Sequence, residues 1–374
     1  MPHRTSIEWC DYSSNAIRAR DPETGASGHY CEKLSPGCAM CYSSALQTRF
    51  KMPAFPGKPR QPSTSVIQGD VVRIRGLEVF LNDKELEHRL KFRPKGPFHG
   101  DRPKVFVEDM SDLFGSWVPF EWIDKCFATF AMRPDVDWQV LTKRPERAAE
   151  YLSDDPIRRG WLIGKAADEF GGLPTTAGYF GPTREWEFPL PNVHLGTSCE
   201  NQEQFERRRD HLVMCPAAVR FISFEPLLSN IACGQMLRQI DWAIIGGESG
   251  PKARPMDLAW GRSLIEQCRA AGVAPFFKQA GSRPLCNLTT DWDELDIGAL
   301  AGTVCPSCRK VCFRLGPWQD ICQCGAYLHH EGDVCEIKLK DPKGGDLSEL
   351  PADLRVREFP KATGARRAGK RGTP

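Results

Sequence analysis

The chain has 374 residues, with 50 Lys and Arg against 48 Asp and Glu and a formal net charge of +2. That is enough for one large enzyme domain with insertions, or for two ordinary domains. With 41% hydrophobic and 26% charged residues, the composition is that of a globular protein and excludes wholesale disorder or a collagen-like repeat. No run of about 18 apolar residues occurs, and the opening MPHRTSIEWCDYSS lacks the apolar stretch of a secretory leader. No membrane association is therefore expected, and the expected location is the cytoplasm. In that reducing compartment the sixteen cysteines read as metal or iron–sulfur ligands rather than as a disulfide framework.

In chain order, residues 1–50 hold a first cysteine group, and residues 51–103, rich in Pro, Gly and Arg, read as an irregular insertion with one short strand pair in VIQGDVVRIRG. From 104 to 283 short apolar runs recur, in KVFVEDM, DWQVLTKRPER, NVHLGTSCENQ, VRFISFEPLL, DWAIIGGESG and VAPFFKQAG, with helix-like segments between them. This is the pattern of parallel strands covered by helices, and the predicted fold is α/β, a partial or complete (β/α) TIM-like barrel with an inserted zinc ribbon. A dinucleotide-binding sheet would need GxGxxG after its first strand and a P-loop would need GxxxxGK[ST]; the chain has neither. Ligands of such folds collect at the carboxyl ends of the strands. There the sequence places Glu108, Asp109, Thr142, Lys143, Arg144, Thr197, Ser198, Glu200, Glu225, Glu248, Ser249, Lys278 and Gln279.

Cys31, Cys38 and Cys41 are spaced C-x6-C-x2-C. Three thiolates could hold three irons of a [4Fe–4S] cluster and leave the fourth open to the amine and carboxylate of S-adenosylmethionine, whose sulfonium one electron would then cleave. Zinc held by the same thiols with water or His29, and three thiols without a metal, are the other readings of this spacing. Downstream, Cys305, Cys308, Cys322 and Cys324 form two knuckles across a hairpin, the recipe for a structural zinc ribbon over residues 300–335. Arg309, Lys310, Arg314 and Trp318 would let that ribbon meet DNA, RNA or a protein partner. The basic tail, 361–374, has five cationic residues in KATGARRAGKRG.

Among the strand-end residues, Glu225 follows the apolar RFISF and could accept a proton or bond a ribose; Lys143 and Cys199 are the other catalytic candidates. Arg144 and Arg254 could meet a carboxylate or phosphate. Glu108, Asp109, Ser111 and Asp112 could take an amine.

The blocks TSIEWCDYSSNA, CEKLSPGCAMCY, VFVEDMSDLFG, WQVLTKRPER, NVHLGTSCEN, RFISFEPLL, IIGGESGPKARP, FFKQAG and KGGDLSELPADLRVREFP resemble the phage Gp37/Gp68 family, itself similar to radical S-adenosylmethionine enzymes. The resemblance runs from residue 5 to residue 360, with interruptions, and makes 340–360 a family segment. It implies a [4Fe–4S] triad of Cys31, Cys38 and Cys41, S-adenosylmethionine as cofactor or cosubstrate, and a reductase or flavodoxin-like electron donor. Most of that superfamily has C-x3-C-x2-C, and Met40 replaces its usual aromatic. The loop Gly246, Gly247, Glu248, Ser249 resembles the motif that takes the amine of S-adenosylmethionine. The expected activity is a radical modification or repair of a nucleic-acid base or nucleotide. The alternatives are a zinc-dependent nuclease or hydrolase using Asp109, Asp112, Glu225 and Glu248, and a non-catalytic nucleic-acid-binding protein with structural metals.

Overall fold

The structure, a computed structural model, describes residues 2–49, 66–68, 70–153, 156–171, 189–287, 303–304, 311–312, 334–336 and 339–360. The chain divides into two units, one of residues 1–197, 207–221 and 360–374, the other of 198–206 and 222–359.

The strands of the first unit are, in chain order, β1 (His3–Arg4), β2 (Tyr12–Ser14), β3 (Ile17–Arg20), β4 (Ser27–Gly28), β5 (Val66–Gln68), β6 (Val71–Ile74), β7 (Leu77–Leu81), β8 (Lys104–Val107), β9 (Asp137–Thr142) and β10 (Val193–Ser198). Its helices are α1 (Tyr42–Arg49), α2 (Asp83–Lys91), α3 (Phe120–Ala131), α4 (Pro145–Leu152) and α5 (Pro156–Asp168). One sheet runs β1-β2-β8-β9-β10. β2, β8, β9 and β10 are parallel, with Val105 opposite Tyr12 and Trp138, and Trp138 opposite Val193; only β1 is antiparallel. β8 and β10 are buried along their whole length, the mark of a strand covered on both faces. Helix α3 turns Ile123, Cys126, Phe127 and Phe130 inward at spacings of three and four, and the Phe130 ring stacks on Trp138 at 5.0 Å.

The second sheet of this unit corrects the sequence reading. Residues 66–91 are regular: β5, β6 and β7 join β3 and β4 in a five-stranded antiparallel sheet, ordered β4-β3-β7-β6-β5, and α2 follows. Val72 and Ile74 point inward while Arg73 between them points out, and the tight turn Arg75–Gly76 has φ of 51° and 81°, the left-handed pair that such a hairpin requires. The pairing that completes the sheet, Ile17 opposite Leu81, spans too much sequence for local composition to report.

Helix α6 (Gln202–Met214) and strand β11 (Val219–Phe224) lead across the boundary between the units. In the second unit, β12 (Trp242–Gly246) is fully buried and pairs in parallel with β14 (Ala274–Gln279). Between them run the short β13 (Met256–Asp257) and α7 (Leu258–Ala271), which is capped by the Asp257 carboxylate on the Ala259 amide and stops at left-handed Gly272. The segment 355–359 lies along β14: Phe277 N–H donates to Val356 O at 2.7 Å, Glu358 N–H to Pro275 O at 3.0 Å, and the Trp242 indole to Glu358 O at 2.8 Å. Next, β15 (Pro284–Asn287) pairs antiparallel with Val334–Glu336. Between them in sequence, Thr303–Val304 pairs with Val311–Cys312. The ribbon cysteines Cys305, Cys308, Cys322 and Cys324, and the basic tail, lie outside the described residues.

The architecture is therefore α/β, with a mixed, mostly parallel sheet flanked by helices. No described helix is long and apolar enough to cross a membrane.

Candidate functional site

Pro36 opens a single 3-10 turn, Pro36–Cys38, in the first cysteine group. The Cys41 amide then donates to Cys38 O at 3.5 Å and α1 begins at Tyr42, so Cys38 and Cys41 stand one turn apart. Cys31 lies at the other end of the loop, beside Tyr30, whose carbonyl accepts from Ser111 Oγ at 2.6 Å and whose hydroxyl donates to Glu32 at 3.0 Å. None of the three cysteines is in a disulfide.

Their charges are coupled. Burial pushes the Cys31 thiol well up, with Asp112 and Cys41 adding to it and Arg144 opposing. Burial also raises Cys41, against the pull of nearby backbone amides and Lys143. At Cys38 the same burial is outweighed by Lys143 and by bonds from Leu34 and Ser35, and the thiol falls below its ordinary value. Lys143 thus favours thiolate at two of the three positions.

The strand ends of β8 and β9 brace this loop. Asp112 accepts from Thr142 Oγ1 at 2.7 Å, Phe114 N at 3.0 Å, Lys143 N at 3.2 Å and Arg144 Nη1 at 3.1 Å. Arg144 also reaches Glu32 at 3.2 Å and lies 4.6 Å above the Trp117 ring. Asp109 accepts from Asn15 Nδ2 at 2.5 Å and from the hydroxyl of Tyr42, the residue after Cys41, at 3.1 Å. Glu32, Asn15 and Trp117 were not legible as site residues; adjacency to Cys31 was the available signal for Glu32.

Glu108, expected to meet a cofactor, is instead turned into the core. It is 2% exposed, and its carboxylate accepts from Ala16 N at 2.7 Å, Ile17 N at 3.1 Å and Arg89 Nη2 at 2.9 Å. Its φ of 58° turns the chain back so that these bonds close. His29, the reserve ligand, is buried beside Ile17 O at 3.2 Å; burial, helped by Arg18, lowers its pKa from 6.5 to about 4. The folded chain therefore binds fewer protons here than the unfolded one. Stability is expected to fall as pH drops below 6.5, by about 3 kcal/mol in all, and to level off below about 4. Urea titrations across that range should show a flatter profile for His29→Gln.

In the second unit the strand ends carry two ion pairs. Lys278 Nζ lies 2.9 Å from Glu225 Oε1, and both side chains are largely buried. Gly246 makes room for that carboxylate, since a Cβ there would stand 2.7 Å from Glu225 Oε1. Gly247 packs against the Ala280 carbonyl, where no side chain fits. Glu248 is held by Arg254 through Nη2 at 2.6 Å, Nε at 2.9 Å and the backbone amide at 2.9 Å. Burial works to raise the Glu248 carboxyl, but these bonds outweigh it and hold it below its ordinary range. Ser249 accepts from Gln279 Nε2 at 2.7 Å. The glycine-rich loop is thus braced by its own residues, Glu248 and Arg254 holding each other. Cys199 is fully buried, its thiol donating to Gln204 O at 3.7 Å, which removes the exposure a reactive thiol needs.

The first group offers an all-sulfur donor set, three free thiols on one loop. Among the described residues, no three His, Cys, Asp or Glu side chains gather as a group that could hold a metal ion. No curated protein and no solved structure matches the chain. A family profile described as a protein of unknown function, DUF5131, matches residues 4–311, and the chain belongs to that family.

Proposed function

We propose that this chain is a radical S-adenosylmethionine enzyme acting on a nucleic-acid base or nucleotide, with a [4Fe–4S] cluster held by Cys31, Cys38 and Cys41. The scaffold would be a partial (β/α) barrel with a zinc ribbon inserted. The observation that carries the reading is that three free thiols share one loop, which Ser111, Tyr42 and Arg144 tie to the residues following β8 and β9. The resemblance of the sequence blocks to the phage Gp37/Gp68 family supports it. When bound, the cluster supplies the electron that splits the sulfonium and yields a carbon radical.

The chain's own residues prepare the loop. Lys143 favours thiolate at Cys38 and Cys41, Asp112 locks the ends of β8 and β9 together, and the Tyr42–Asp109–Asn15 contacts fix the start of α1 beside Cys41.

The test is iron, sulfide and zinc analysis of protein purified without oxygen, with electron paramagnetic resonance after reduction. About four irons per chain, and a reduced spectrum that shifts on adding S-adenosylmethionine, are expected. Zinc alone, persisting after cluster reconstitution, would overturn the proposal.

A further inference from the structure

We propose that the outer face of the five-stranded antiparallel sheet docks single-stranded nucleic acid. The register settles which side chains share that face. Arg18 stands opposite Phe80, and Phe80 opposite Val71; Arg20 stands opposite Glu78, and Glu78 opposite Arg73. The other face, with Ile17, Ala19, Val72, Ile74 and Val79, is core. One side of the sheet is therefore apolar and buried, and the other gathers three arginines, one glutamate and an aromatic ring, with Val71, Val66 and, by register, Gln68 beside them.

This composition suits a phosphodiester strand. Glu78 accepts from Arg20 Nε at 2.7 Å and from Arg73 Nη2 at 2.9 Å, which orients both guanidinium groups while their side chains stay 51% and 55% exposed. Each guanidinium has further N–H donors for phosphate oxygens. Arg20 also lies 5.4 Å over the Phe80 ring, so the face combines cations with a stacking surface, the two elements by which proteins hold unpaired bases without reading sequence. Residues i and i+2 of a strand stand ~7 Å apart, so Arg18 and Arg20 form a short cationic row. The face also leads to the cysteine loop: Arg75, at the β6–β7 turn, reaches Glu32, next to Cys31, at 3.9 Å. This inference goes beyond the proposed chemistry and concerns binding alone, which needs neither cluster nor reductant.

The test is fluorescence anisotropy of full-length protein with a labelled oligonucleotide of about 15 nucleotides, in air and without S-adenosylmethionine, from about 50 to 200 mM salt. Three arginine contacts should give log K against log[salt] a slope of about −2. Combining Arg18→Gln, Arg20→Gln and Arg73→Gln should remove most of that slope and at least about tenfold of the affinity at low salt. Phe80→Ala should lose about tenfold with the slope unchanged. Glu78→Gln should bind more tightly and more steeply, and this gain keeps the test decisive if the triple variant does not fold. Wild-type affinity and slope in a folded triple variant, absence of binding by the wild type, or tighter binding of duplex than of single strand would each overturn the proposal. A chain that binds as expected but carries no iron would leave this face standing and sink only the radical reading.

Discussion

Replacing Cys38 with alanine is expected to bring iron from about four atoms per chain to near zero after anaerobic reconstitution, and reductive cleavage of S-adenosylmethionine to background. Cys38 is the informative position because its thiol is the one whose surroundings lower its pKa, through Lys143 and the turn at Ser35. Cys31→Ala and Cys41→Ala should behave alike. Cys126→Ala and Cys268→Ala should retain full iron, since both thiols are buried in the core and burial raises both. The measurement is iron and sulfide content together with the reduced spectrum. If Cys126→Ala loses iron as completely as Cys38→Ala, the loop is not the cluster site.

The largest stability effect is expected at Glu108. Glu108→Ala would leave Arg89, itself 0% exposed, without its carboxylate, and would strand the Ala16 and Ile17 amides. Removing one partner of a buried pair costs about 3–5 kcal/mol. Arg89 also bonds Ser14 Oγ at 2.8 Å, and that hydroxyl donates to Glu85 at 2.8 Å, so the loss should spread into β2 and α2. Urea denaturation measures it. Pairing Glu108→Gln with Arg89→Met should cost less than the sum of the single changes, because the second substitution removes the charge that the first leaves unmatched. Strict additivity would show that the two side chains do not depend on each other.

The parts of the fold legible in the sequence were those encoded by short-range pattern. KVFV, VHLGTS and WAIIG are strands buried along their whole length, their apolar residues marking them in the sequence, and the polar residues after them do fall at strand ends. The antiparallel sheet was legible only as the β5–β6 pair, because β3 is four residues long and its partner β7 lies some sixty residues away. For the site, sulfur chemistry was visible in the spacing of Cys31, Cys38 and Cys41. What could not be read was how the carboxylates are used. Glu108, Asp112 and Glu248 look alike as acids after strands, yet each is taken up by donors distant in sequence or by a cation on its own loop. A one-dimensional pattern reports that a charge stands at a strand end; it does not report whether an arginine has already claimed it.

The segment 355–359 that lies along β14 sets an order of events in synthesis. A ribosome delivers Ala274–Gln279 long before Val356 and Glu358, so the backbone groups of Phe277 and Pro275 wait while some eighty intervening residues are made. During that interval the nascent second unit presents an unpaired strand margin, the kind of surface that recruits neighbouring chains. Translation stalled within residues 288–354 should therefore yield an aggregation-prone product, whereas an extension added after Phe359 meets an edge already covered.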